Sequence, residues 1–273
     1  MFFSCQLPKR KCLVCSISRP SLLMSHRGLL FLPLDFSLAS YKTIMSYKSL
    51  WIGYANTIFY VIVGTAINIV MTTLAAYALS RKNVMFSTAI TFMITFTMFF
   101  GGGLIPTYLN IQRLGLLNTR WALLLPGAMS AYNFIIMRTA FKEVPESLEE
   151  SARIDGAQDF TILLKIMVPL CKPVIAVMLL YYGVGHWNSW FSAMIYLRNR
   201  NLYPLQLVLR EILITNSTMA EFEFISAQGD EVEPIAINIK YAIIVVATVP
   251  ILTIYPVLQK YFVKGVMIGA IKG

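Results

Sequence analysis

The chain has 273 residues, of which 57% are hydrophobic and only 13% charged, with a formal net charge of +10. So apolar a composition excludes a soluble domain of this length and points to a polytopic membrane protein. The positive excess is scattered through short loops without a basic and aromatic stripe, which argues against nucleic acid and fits positive loops beside membrane spans.

The first 28 residues hold Lys9, Arg10, Lys11, Arg19 and Arg27 and no apolar run long enough to span. A signal peptide is a poor reading, because the apolar stretches Cys12 to Ile17 and Gly28 to Pro33 are short or interrupted and no small-residue cleavage site follows. Cys12-x-x-Cys15 has no second pair at metal spacing and Cys171 stands alone, so neither a zinc site nor a disulfide framework is supported. Five later stretches lack any Asp, Glu, Lys or Arg: Ser49 to Ser80, Asn83 to Gln112, Trp121 to Met137, Pro173 to Leu197 and Tyr241 to Gln259. A hydrocarbon core of roughly 30 Å needs about 20 apolar residues as helix, with about 17 still possible, so each stretch can span. They are too long and too uniformly apolar to alternate as barrel strands, and helices alone bond their own backbone.

In the second stretch, Gly101-Gly102-Gly103 lacks the Gly-Lys-Ser/Thr of a phosphate loop and reads as close helix packing or a local break. No Walker motif occurs anywhere, so ATP is bound elsewhere. Asn133 places a costly amide within the third stretch, where it must face a partner or a cavity.

A polar loop, residues 142–172, separates the third and fourth stretches. Pro145 suits the first helical position, and Glu146, Glu149 and Glu150 crowd the first turns against the positive end of the helix dipole. Glu149 can pair with Arg153 four residues on, and Gly156 can end the helix in the left-handed conformation. A second helix is expected from Gln158-Asp159, burying one face through Phe160, Leu163, Leu164 and Met167, with Pro169 and Pro173 marking the handover to the next span. An interfacial anchor would be rich in Lys and Arg, whereas this first helix is acidic and suits a basic protein groove.

The fourth stretch is dense in aromatics and small polar groups. Tyr181, Tyr182, His186, Trp187, Asn188, Ser189 and Trp190 could line a sugar path, flat rings stacking on pyranose faces and amides bonding hydroxyls. The competing reading is an interfacial aromatic belt plus helix packing. His26 and His186 belong to no His-Glu-x-x-His pair or nucleophile elbow, so no catalytic residue is assigned. Apart from Asp35, the acids fall between Glu143 and Asp159 and between Glu211 and Glu233, the two large polar regions expected to meet water or soluble partners.

The spacing Glu150-Ser151-Ala152, three residues to Gly156, nine to Ile166, then Val168-Pro169 resembles the cytoplasmic coupling loop of bacterial ABC importer permeases, whose pattern runs EAA, x3, G, x9, I, x, L, P. Ser151 and Val168 replace the family's alanine and leucine, both small changes. The resemblance implies an all-α, polytopic transmembrane helix bundle of the ABC importer permease type. Five spans are visible here where the family has six, the first being absent. It implies that Glu149, Glu150, Ala152, Arg153, Asp155, Gly156, Ile166 and Pro169 couple the chain to an ATPase, with no cofactor in this chain and Mg-ATP held by the partner. Glu150 would supply a charge-assisted contact, Ala152 close packing and Gly156 the turn.

The fourth stretch, LYPLQLVLREIL after it and QKYFVKGVMIGAIKG at the end resemble the carbohydrate branch, the maltose-type subunit that pairs with a second, different permease. The likeness runs over about residues 32–273. The implied partners are an ATP-binding subunit dimer, the second permease, an extracytoplasmic solute-binding protein docking on the loop from Arg198 to Lys240, a sugar substrate and membrane lipid. The expected pathway set is Asn133, Tyr181, Tyr182, Trp187, Asn188 and Trp190. The implied location is the bacterial cell membrane with a cytoplasmic C-terminus, an orientation with which the shallow positive-inside bias agrees. Five spans then leave residue 1 outside despite its basic neighbourhood. Residues 1–28 are therefore expected to be an aberrant, frameshifted or misassigned start, with residues 29–273 as the permease domain. A secondary transporter would need intramembrane acids that the spans lack, and an importer permease for a non-sugar solute is the nearer alternative.

Overall fold

The computed structural model of the chain describes residues 14, 16–18, 36–81, 84–214, 241–250 and 252–253. Among these the structure is helical, and an isolated antiparallel bridge joins Ser18 to Phe36. The expectation for residues 1–28 falls almost wholly outside the described residues, as do Lys82, most of the loop from Arg198 to Lys240 and the C-terminal tail.

Lys48–Ser80 is one continuous helix of 33 residues. At 1.5 Å per residue it reaches ~50 Å, longer than a hydrocarbon core of ~30 Å. Among the described residues it is the single helix long and apolar enough to cross a membrane unaided. The second, third and fourth apolar stretches are not the continuous spans that their composition predicts. Ser87–Phe99 and Leu104–Arg113 meet at an angle of 117°. The break is the triple glycine, with Gly103 at φ +83, a conformation that resists an L side chain. The third stretch divides into Trp121–Leu124 and Ala131–Lys142 around Pro126-Gly127. In the fourth, Lys172–Trp187 ends before Phe191–Tyr196. Of the fifth, Tyr241–Pro250 is a short apolar helix.

A broken helix frees backbone groups that lipid cannot bond, so neighbouring side chains must do so. Asn68 of the long helix donates from Nδ2 to the Gly127 carbonyl. The Tyr182 hydroxyl accepts from the Ser130 amide at 3.1 Å and shares a 2.7 Å hydrogen bond with Thr72. Asn56 donates to the carbonyls of Asn201 and Tyr203 at 2.7 and 3.2 Å, and Thr57 Oγ1 accepts from the Leu205 amide at 2.7 Å. Asn56, Thr57, Asn68 and Thr72 are all buried, so the long helix carries a polar seam that satisfies irregular backbone elsewhere in the chain. Threonines 91, 95 and 107 instead bond their own helix four residues back, which hides a hydroxyl in apolar surroundings.

The chain divides into two compact units. One includes, among described residues, 36–57, 189–194, 199–214, 241–250 and 252–253; the other includes 58–81, 84–188 and 195–198. The second unit holds a core in which Ala76, Tyr77 and Leu79 from the end of the long helix meet Phe134, Met137 and Phe141, then Ile162, Leu163, Met167 and Cys171, and finally Met178 and Tyr182. That core is the platform on which the polar loop rests.

Candidate functional site

The polar loop folds as a helix, a turn and a second helix. Glu146–Ile154 is helical, and Pro145 occupies the cap before it with ψ 131 rather than the first helical position expected for it. Glu146 and Glu149 lie in the first turn, where the dipole favours them. The helix ends on Gly156 at φ +80, with the Gly156 amide bonded to the Arg153 carbonyl at 3.0 Å and the Ala157 amide to that of Ala152 at 2.9 Å. Those two bonds form the Schellman pattern that a left-handed glycine makes available.

The second helix differs from its predicted face. Asp159–Ile162 is α-helical, but Leu163–Met167 forms a π turn, which widens the spacing between buried positions. Ile162, Leu163 and Met167 are buried and Ile166 packs against the same core, whereas Phe160 and Leu164 stand exposed. Pro169 and Pro173 bracket an 85° bend between Asp159–Leu170 and Lys172–Trp187.

Side chains of the first helix sort by direction. Ala152 packs on the core and Glu149 is buried, while Glu146, Glu150, Ser151, Asp155 and Ile154 are exposed, Ile154 by 87%. Arg153 donates to Glu149 Oε1 at 2.9 Å, as the spacing predicts, and also to Asp159 Oδ1 at 2.7 Å, bridging the two loop helices. Glu149 Oε2 accepts from Arg81, which follows directly on the long helix. A cavity of about 710 Å³ opens beside these residues, lined by Tyr77, Arg81, Glu146, Glu149, Arg153 and Asp159 among others. The sequence reading missed Arg81 as a partner of the loop, and Ile154, Phe160 and Leu164 as its exposed apolar rim. An apolar residue directly before Asp155-Gly156, on a helix whose inward positions are already filled, was the available signal for Ile154.

Cys171 is buried under this loop with its thiol directed at the Ala140 carbonyl at 3.8 Å. Burial, with the charge of Glu143 adding to it and Arg81 opposing, pushes the thiol pKa up. The reactive thiolate is thus scarce at neutral pH. Maleimide treatment of the intact protein followed by peptide mapping is expected to leave Cys171 unlabelled, and denaturation to expose it; equal labelling in both states would contradict that burial.

The residues expected to line a solute path are dispersed in environment. Asn133 and Tyr182 are buried, and Tyr182 spends its hydroxyl on Thr72 and Ser130. Trp187 is buried with its indole Nε1 unbonded. Tyr181 and Asn188 are exposed, Asn188 donating back to the Val184 carbonyl of its own helix at 2.9 Å. Trp190 lies under the Arg210 guanidinium, 4.5 Å from its ring centre, and edge-on to Phe191. His186, also named from the sequence among groups that could line a sugar path, bonds Asn68 through Nε2 at 2.7 Å.

Comparison with known proteins gives a consistent picture. Residues 77–268 match the family described as the binding-protein-dependent transport system inner membrane component. The polygalacturonan/rhamnogalacturonan transport system permease protein YtcP of Bacillus subtilis is 41% identical over 98% of this chain and 93% of its own length. Protein LplC of the same organism is 40% identical over 92% of this chain and 84% of its own. Among solved structures, a bacterial ABC transporter involved in the import of the acidic polysaccharide alginate has a chain that superposes with a TM-score of 0.84 and 36% identity. That match covers 93% of this chain and 90% of the other.

Proposed function

The chain belongs to the inner membrane components of binding-protein-dependent transport systems, and we propose that its 142–172 loop is the cytoplasmic lever through which a separate ATPase drives solute import. It is a membrane-spanning permease, a transport subunit rather than an enzyme. In this reading Mg-ATP binds to a dimer of ATP-binding subunits, a second, different permease completes the pathway, and an extracytoplasmic binding protein delivers the solute to the loop after Arg198. The loop and the C-terminus are cytoplasmic, since the ATPase is.

The observation that carries the reading is the loop's outward face. A nine-residue helix is held on the core by Ala152 and Glu149, yet presents Leu148, Ile154 and the neighbouring Phe160 and Leu164 to solvent beside Glu146 and Glu150. Exposed apolar side chains on a helix that also exposes acids call for a protein groove, because interfacial lipid binding would favour a basic rim. Ile154→Asp is expected to weaken the ATPase by about 2 kcal/mol, or roughly thirtyfold, the loss typical of a central apolar anchor. Titrating the ATP-binding subunit onto the purified permease measures it. Failure of the unaltered chain to bind any ATPase would overturn the reading.

The solute we propose is an oligosaccharide bearing acidic sugars. It is supported by YtcP, whose name gives polygalacturonan and rhamnogalacturonan, and by the solved transporter, which imports alginate. The pathway set Asn133, Tyr181, Tyr182, Trp187, Asn188 and Trp190 enters with unequal parts. Tyr181 and Asn188 are exposed for solute contact, Trp187 and Trp190 offer rings, Tyr182 spends its hydroxyl on Thr72 and the Ser130 amide, and Asn133 is buried with its own backbone amide donating to Ser130 Oγ. Uptake of labelled oligogalacturonide by the reconstituted complex, with neutral maltooligosaccharide as the comparison, tests it. Preference for the neutral sugar would remove the acidic assignment while leaving the importer reading intact.

A further inference from the structure

We infer that Glu149, rather than its neighbour Glu150, fastens the lever to the membrane bundle through Arg81, and that this fastening carries motion from the ATPase to the spans. The inference rests on the loop being the ATPase lever. A lever moves only what it is fixed to, and the apolar contacts of Ala152 and Ile166 can slide. A directional, half-buried ion pair cannot slide without breaking.

Arg81 sits where several segments converge. Its Nε donates to Ser80 Oγ at 3.1 Å and its guanidinium lies 4.9 Å from the Tyr77 ring centre, both at the end of the long helix. Nη2 reaches the Phe141 carbonyl at 3.4 Å, at the end of the Ala131–Lys142 helix, and the Met167 sulfur at 3.8 Å, in the second loop helix. Nη1 donates to Glu149. The side chains of Arg81 and Glu149 are only 16% and 10% exposed. Glu149 divides its two oxygens between Arg81 and Arg153, and Arg153 continues to Asp159. The chain Arg81, Glu149, Arg153, Asp159 therefore joins both loop helices to the end of the long helix, while Glu150 stays exposed on the side left for the partner. Removing one arm leaves the others in place: without Arg81, Glu149 keeps Arg153, and without the Glu149 charge, Arg81 keeps the Phe141 carbonyl.

Glu149→Gln preserves shape but turns an amide donor toward one of the two arginines. Arg81→Gln removes the guanidinium, and Arg81→Lys restores a charge without the fork. The test uses the complete complex in liposomes with the binding protein and an oligosaccharide that the unaltered complex transports, comparing these variants with Glu150→Gln. Glu149→Gln and Arg81→Gln are expected to retain the ATPase subunits and to hydrolyse ATP within about twofold of the unaltered complex. Solute moved per ATP is expected to fall on the order of tenfold, within the range of couplings between sites. Arg81→Lys should recover part of that ratio, and Glu150→Gln should instead loosen the ATPase. Unchanged transport per ATP in both Gln variants would overturn the inference, as would loss of the ATPase subunits or a parallel fall of hydrolysis and transport, which mark a structural role. Absence of ATPase from the unaltered complex would instead sink the lever reading itself.

Discussion

Gly156→Val is expected to leave the protein in the membrane at its normal level while abolishing solute uptake. Glycine is needed here for its backbone and not for space, because a Cβ built at Gly156 meets nothing within 4 Å. At φ +80 a β-branched residue is strained by about 1–3 kcal/mol. The chain can relieve that strain only by abandoning the left-handed turn, and with it the bonds from Gly156 to Arg153 and from Ala157 to Ala152. The helix would then end in another direction, redirecting Ile154 and pulling Arg153 from Asp159. The membrane bundle does not depend on that turn, which is why abundance is retained. Gly156→Ala, with strain of about 1–2 kcal/mol in the same conformation, should be partly active. Uptake normalised to membrane-inserted protein is the measurement, and normal uptake by the valine variant would contradict the assigned turn.

That prediction was available from sequence because everything behind it is local. Gly156, the Glu149 and Arg153 pair, the acidic first turn and the bounding prolines act over separations of one to five residues, and the structure has each of them. The Ser49 to Ser80 stretch was legible for the same reason, since charge marks both of its ends. What composition could not give is where an apolar run breaks. The break at Gly101-Gly102-Gly103 is one of two readings the sequence leaves open, whereas Pro126-Gly127 lies inside a stretch that hydropathy alone reads as continuous, and the carbonyl freed there is bonded by Asn68, far away in sequence. The π turn at Leu163–Met167 is similar. Its backbone bonds reach five residues instead of four, a step for which a strict 3.6-residue period has no place, and Phe160 and Leu164 stand exposed where that period buries them. In the sequence Arg81 does no more than end an apolar stretch, and its separation from Glu149 hides a side chain that joins several segments of the site.

The same long-range logic assigns a second large effect, to Gly64. A Cβ there would lie 2.5 Å from His186 Nε2 and 2.6 Å from Cε1, so the imidazole rests directly against the backbone of the long helix. Because Asn68 gives its Nδ2 to the Gly127 carbonyl, its Oδ1 faces His186, which fixes the proton on Nε2 and makes the imidazole the donor. Gly64→Val must push the ring away and cannot do so without undoing this relay. Overpacking costs about 1–3 kcal/mol, and leaving a buried carbonyl or amide unbonded about as much again. The expected result is a lower yield of folded protein and an earlier thermal transition in detergent, followed by gel filtration or intrinsic fluorescence. Combining Gly64→Ala with His186→Ala removes the collision and should recover more stability than either change predicts alone, a coupling that only contacting residues show. Additive losses would mean that His186 does not occupy the space above Gly64, and the polar seam would then have to hold the Pro126-Gly127 break by Asn68 and Tyr182 without it.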